Sequence, residues 1–289
     1  MKGLESMRKI QCVILVFMLT GILGCSQQYQ AERSLYKAIQ LSKDIIATPD
    51  AVPPSQFNKA IAAYTFVFEK YPETIIARKA RMAMGSLYVA KKEYAKSREV
   101  FKKTFELYPD DKAVAIEARF SIGKSYELEG SWESALAEYT GIIRKYPDTQ
   151  AGFDLPIYIA RYYEKQKDIP ARNAAYLKAV GHYKALAEKY PNTDMGFLSE
   201  SMIVTCYMNQ EDWGTALEAL EKILADYPMA KTVVLTLRTA ADISVRELKD
   251  PQRAIDIFNR FMEKNPKHPL NESIKKGLEA FKNVPTNKN

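Results

Sequence analysis

From Ala31 onward, apolar residues return every three or four positions, in segments of about fifteen residues cut by prolines or short polar clusters. That period is helical, and the segments come in pairs. Ala31 to Ala47 carries Leu35, Ala38, Ile39, Leu41 and Ile45 on it. The breakers Thr48-Pro49-Asp50 and Pro53-Pro54-Ser55 then separate it from a segment with Ala60, Tyr64 and Val67. Each pair closes on a dipeptide: Tyr71-Pro72, Tyr108-Pro109, Tyr146-Pro147, Tyr190-Pro191, Tyr227-Pro228 and the degenerate Asn265-Pro266. The prolines lie 37, 38, 44, 37 and 38 residues apart, a period that predicts a stacked repeat array. Proline has no N–H and turns its predecessor away from helix, so each dipeptide ends one helix and begins a turn. A single hairpin cannot bury its apolar face and must stack on its neighbours. The pattern therefore predicts an all-α fold.

Within the unit the offsets repeat. Gly85, Tyr88, Ser97, Phe101 and Pro109 are followed at the same spacings by Gly123, Tyr126, Ala135, Tyr139 and Pro147. A small residue, an aromatic, a second small residue, a second aromatic and a closing proline resemble the tetratricopeptide repeat. Arg81 and Met84 replace the Trp-Leu that the family usually carries before the glycine. The resemblance implies a right-handed α-α superhelix, a solenoid of about six helix pairs with a capping helix near Leu270 to Lys282. The glycines are expected where the two helices of a hairpin cross closely. Repeat four is longer by seven residues, which the spacing from Tyr163 to Ala179 assigns to Lys165–Lys178, as a second helix that starts early and projects.

In such solenoids the first helix of each repeat lines a concave groove. Counted from the glycine, the groove-facing positions are Lys79, Met82 and Ser86 in repeat two, Phe120 and Lys124 in repeat three, and Ile157 and Arg161 in repeat four. Met82, Phe120 and Ile157 form an apolar row bordered by charge of both signs, which suits an extended or helical peptide. The same side chains could instead be half-buried between neighbouring helices. The Lys/Asn set that clamps C-terminal carboxylates in chaperone-binding relatives is absent.

The N-terminus follows a different pattern. Lys2, Arg8 and Lys9 precede an apolar run from Ile10 to Leu23, too short for a comfortable membrane span. It ends Ile22-Leu23-Gly24-Cys25, which resembles a bacterial lipobox. The resemblance implies a signal peptide over residues 1–24, acyl chains on Cys25 and a short tether over 25–30. It also implies a periplasm-facing position on the outer membrane, since Ser26 is not an aspartate. An ordinary membrane or buried helix is the alternative. The solenoid is then expected over 31–282, with a disordered tail over 283–289.

Composition adds limits. Residues 1–24 hold three of the 42 Lys+Arg and one of the 35 Asp+Glu, so the remainder carries 39 against 34, a net charge of +5. The basic pairs are scattered, which argues against a nucleic-acid partner. With Cys25 acylated, Cys206 stands alone, and a small core residue is the expected role. His182 and His268 lie far apart in sequence, with no catalytic constellation, metal spacing or phosphate loop around them. We expect no enzyme activity and no cofactor.

A lipid-anchored, periplasm-facing protein of tetratricopeptide repeats resembles the assembly-factor lipoprotein of the outer-membrane β-barrel assembly machine. That implies a scaffold whose partners are other envelope proteins. Pilotin-like lipoproteins and cell-wall coordinators are the neighbouring alternatives, and a glycan-binding outer-membrane lipoprotein is a more distant one. The anchor is directly testable. Cys25→Ala should yield an uncleaved or soluble product, because several acyl chains, at about 0.8 kcal/mol per buried methylene, make attachment effectively permanent. Wild-type protein that fractionates as soluble, with no lipid mass on its N-terminal peptide, would contradict the anchor.

Overall fold

A computed structural model describes residues 27–282; the expected signal peptide, Cys25 and the tail after 282 lie outside these. All regular elements among the described residues are helical, so the all-α expectation holds. The described residues divide into two compact units, which part between Ile142 and Ile143.

The first unit contains α1 (27–47), α2 (Pro54–Lys70), α3 (Ile75–Ala90), α4 (Tyr94–Leu107), α5 (Lys112–Glu129) and most of α6 (Trp132–Lys145). Helix α1 has already begun at 27, four residues before the expected start at 31. No breaker interrupts Gln27 to Gln30, and Gln28 donates to Glu32 at 3.0 Å, one turn on. Ala31, Ala38 and Ile45 of α1 meet Phe57, Tyr64 and Val67 of α2, then Ile76 and Leu87 of α3, in one core. Met82, Phe101 and Ala118 form a second core, joining α3, α4 and α5.

Glycine decides how closely these hairpins cross. A Cβ on Gly123 would lie 2.6 Å from Cε1 of Tyr139, and one on Gly85 would overlap the ring of Phe101. Each ring therefore occupies the space that a side chain would need. The hydroxyl of Tyr139 donates to Glu127 at 2.8 Å, so the ring is fixed at both ends.

The second unit contains α7 (Gln150–Lys165), α8 (Ile169–Lys189), α9 (Asp194–Asn209), α10 (Trp213–Asp226), α11 (Val233–Asp242), a π-helical turn (Ile243–Glu247), α12 (Pro251–Lys264) and α13 (Asn271–Lys282). Val204, Leu217, Leu220, Leu237, Ile257 and Phe261 anchor its core. Where repeats two and three place glycine against an aromatic ring, repeat five places Val204 and Leu220, moving volume from one helix to the other.

Helix α8 has 21 residues where α4, α6, α10 and α12 have 14. The seven extra residues are thus real, but they lie at the opposite end from the one expected. The turn before α8 spans three residues, as in repeats two and five. The eighth residue of α8 is Tyr176, matching Phe101 in α4 and Tyr139 in α6. Its hydroxyl donates to Glu164 at 3.4 Å, twelve residues back, as Tyr139 does to Glu127. Helix α8 therefore starts in register and gains two turns at its C-terminal end. Tyr183, one heptad after Tyr176, is fully buried and donates to the carbonyl of Phe153 at 2.7 Å.

From the second hairpin onward the turn inside each hairpin carries one left-handed residue. Lys92, Gly130, Lys167, Glu211 and Lys249 all have positive φ, between 55° and 90°. In repeat two the N–H of Lys92 reaches the carbonyl of Val89 at 2.9 Å and that of Glu93 reaches Tyr88 at 2.9 Å. These are the two bonds of a Schellman motif, which satisfies carbonyls that the ending helix leaves open. Glycine fills the left-handed position only in repeat three.

Three of the turns between hairpins are closed by a hydroxyl. Thr74, Thr149 and Thr193 donate to the carbonyls of Tyr71, Tyr146 and Tyr190 at 2.8, 2.7 and 2.8 Å. The same oxygens accept the N–H of Ala77, Gly152 and Gly196, each at 3.2 Å, capping the next helix. Asp111 caps α5 with its carboxylate, accepting from Ala113 and Val114 at 2.9 and 3.1 Å. In the last repeat His268 takes this place: Nδ1 accepts from the N–H of Leu270 at 3.2 Å, leaving Nε2 to donate to the carbonyl of Pro228 at 3.0 Å.

Two comparisons test this architecture by thermal melts. Gly123→Ala should cost roughly 1–3 kcal/mol through overpacking. Gly181→Ala, exposed on α8 with nothing within 4 Å of a new Cβ, should gain about 0.5–1 kcal/mol. Equal shifts would contradict the crossing. At the turns, a left-handed non-glycine residue costs about 1–2 kcal/mol and glycine's extra unfolded freedom about 0.5–1, so Glu211→Gly should be net stabilising. Gly130→Ala should be destabilising, and the opposite signs would contradict the turn assignment.

Candidate functional site

The anticipated groove positions separate into two groups once burial is known. In the first unit α3 and α5 pack side by side, and Arg78 of α3 makes an ion pair with Asp111, the N-cap of α5. Lys79 and Ser86 of α3 are exposed, whereas Met82 is only 7% exposed. It packs with Phe101 and Ala118, so Met82 is a packing residue between successive hairpins. On α5, Phe120 stays 39% exposed with its ring centroid 5.8 Å from that of Tyr139. Lys124 is half-exposed and pairs with Glu127 at 2.9 Å, the carboxylate that also receives the Tyr139 hydroxyl. Phe120, Tyr139, Glu127 and Lys124 thus form one connected group.

In the second unit Ile157 is 5% exposed, while Arg161 one turn later is exposed. The continuous apolar row expected from Met82, Phe120 and Ile157 is corrected accordingly. Two of the three are buried, and Met82 packs with Ala118 of the next hairpin. Of that row, Phe120 alone remains open to a partner.

Two hollows in the second unit were not anticipated. One, of about 630 Å³, lies among α8, α9 and α10, bordered by Glu188, Tyr207, Glu218, Lys222 and Tyr227. Glu200, 7% exposed, borders it too and is ion-paired with Lys222, which also holds Asp226 at 2.5 Å. The last turns of α8 contribute Lys184, Ala187 and Glu188 to one wall. The seven-residue insertion was the signal for this hollow, once assigned to the correct end of the helix. The other hollow, of about 440 Å³, is apolar and lies between α13 and the pair α11–α12, with Val245, Phe258, Ile274 and Leu278 on its walls. Helix α13 therefore covers the last repeat incompletely.

Titratable groups offer little reactivity. Cys206 is fully buried, and burial pushes its thiol up to about 12, so it is protonated at neutral pH. Burial lowers the pKa of His182 and favours its neutral form. Among the described residues no group of three His, Cys, Asp or Glu side chains could hold a metal ion.

These features can now be set beside known proteins. The tetratricopeptide repeat model matches residues 117–149 and 202–228. These segments cover the hairpins α5–α6 and α9–α10, whose second helices open with Trp132 and Trp213. No curated protein matches the sequence. Among solved structures, the chain resembles the TPR2AB domain of yeast Sti1 in complex with pHSP90, at 16% identity and TM-score 0.37, covering 88% of this chain and 86% of that one. It also resembles YrrB, a TPR protein with an unusual peptide-binding site, at 16% identity and TM-score 0.34, covering 75% and 99%. A tetratricopeptide repeat protein from Parabacteroides merdae is similar at 12% identity and TM-score 0.36, covering 86% and 88%. None of their partners is carried over at these scores. The fold is all-α, and the tetratricopeptide repeat model matches within two of its helical hairpins, α5–α6 and α9–α10.

Proposed function

We propose that the protein is a lipid-anchored scaffold that holds a segment of another envelope protein at the periplasmic face of the outer membrane, in outer-membrane protein assembly. The lipobox-like run ending at Cys25 supports the anchor, and the repeats support protein–protein interaction as the activity. The observation that carries the reading is Phe120. An aromatic ring seated on Tyr139, with Lys124 and Glu127 already fixed beside it, is preorganised, so binding would cost little further ordering. Lys79 and Ser86 extend the face along α3. Interfaces concentrate their energy in a few such anchors, while charges on the rim act more on association rate and salt dependence.

Three variants separate binding from folding. Phe120→Ala should weaken a crosslinked membrane pull-down by about thirtyfold in affinity, the equivalent of roughly 2 kcal/mol, with little change in melting temperature. Met82→Ala should instead cost about 2–5 kcal/mol of stability, since it removes a packed side chain. Lys102→Ala, exposed on α4, should change neither. Full partner retention by Phe120→Ala would reject this face. Depletion of the protein should lower the amount of folded outer-membrane β-barrels; unchanged barrels with a lost secretin would favour a pilotin-like role.

A further inference from the structure

Helix α1 carries a face that is left exposed among the described residues. Ala31, Ala38 and Ile45, seven residues apart, are fully buried against α2 and α3. Directly opposite, at the same heptad spacing, stand Tyr29, Tyr36 and Lys43, at positions rotated by about half a turn. Tyr29 is 66% exposed, Tyr36 63% and Ile46 63%, and Ile39 beside them is 41% exposed. Arg33 and Lys43 are exposed on the same side. Two tyrosines, two isoleucines and two cations, with Glu32 and Gln40 exposed among them, run along more than four turns as an amphipathic face.

We propose that this face of α1 lies flat on the bilayer, at the level of the lipid headgroups. The inference rests on the membrane-attached reading above. The covalent chain constrains the geometry: Tyr29 is four residues after Cys25, so its Cα lies within about 14 Å of the acylated residue. Were the apolar run to Leu23 the membrane anchor instead, α1 would emerge equally close to the surface. The side-chain chemistry suits that depth. Tyrosine places an apolar ring among the upper methylenes with its hydroxyl in the headgroup layer, and isoleucine fills the space beside it. Arg33 and Lys43 can bury their stems and direct their charges to anionic phosphates. No helix among the described residues is long and apolar enough to cross a membrane, so α1 would rest on the surface without inserting.

The test uses the full-length, membrane-purified protein in vesicles of phosphatidylethanolamine and phosphatidylglycerol. Nitroxide labels are placed singly at Tyr36→Cys, Ile39→Cys and Ile46→Cys, with Lys102→Cys on α4 as reference. Cys206 is fully buried and will not take the label. The ratio of oxygen to nickel-chelate accessibility should be roughly threefold or more higher at the three α1 positions than at Lys102, as for side chains at the lipid interface. Ratios equal to that at Lys102, with the protein still vesicle-bound, would overturn the proposal and leave the anchor standing. Dipolar coupling between labels on different molecules at Tyr36 would also overturn it, assigning the face to a second copy. Release of the protein by carbonate wash, with no lipid on its N-terminal peptide, would remove the anchor and this proposal together.

Discussion

Two helices can pack along their length only if their axes come close at one point, and here that point is set by volume. Gly85 yields its side-chain space to Phe101, and Gly123 yields to Tyr139. Val204 and Leu220 share the space more evenly in repeat five, both within one core. Whichever helix supplies the bulk, the sum must fit, because a packed interior tolerates neither a void nor an overlap. The rest of the hairpin follows from this crossing. The left-handed turn at Lys92, Gly130, Lys167, Glu211 or Lys249 fixes where the second helix begins and brings the aromatic residue opposite its small partner. The Tyr-Pro closing, with its threonine cap, sets where the next hairpin starts.

The crossing also explains what is left at the surface. It uses one side of each first helix, and stacking uses part of another, which is where Met82 and Ile157 disappear. The large apolar side chains left exposed on α3 and α5 are Ile75 and Leu128 near helix ends and Phe120 in mid-helix, and Phe120 is held by the same Tyr139 that fills the gap left by Gly123. The residue that makes the hairpin is thus the one that supports the candidate contact. A binding face built this way is stiff, since the side chains beneath it have no other place to go.

Much of the fold was legible in the sequence because it is written in spacing. The Tyr-Pro period located every hairpin boundary, and the recurring glycine and aromatic located the crossing. The left-handed turns were not legible, because lysine and glutamate occupy four of the five positions and neither residue signals positive φ. Spacing also counted the seven extra residues of repeat four without telling which end of α8 they lengthen; that depended on Tyr176 reaching Glu164. The candidate site was read less well. Distance from a glycine gives the direction a side chain leaves its helix, but not whether the next hairpin covers it, so Met82 and Phe120 were indistinguishable until stacking was known.

The proposed function rests on the α3–α5 face, through Phe120, as the place where a partner is held. Photo-crosslinking in intact cells reads this directly, with benzoylphenylalanine replacing Phe120 in one variant and Lys102 in another. A specific adduct to an envelope protein is expected from position 120 and none from position 102. No adduct from 120, or the same adducts from both positions, would contradict that placement.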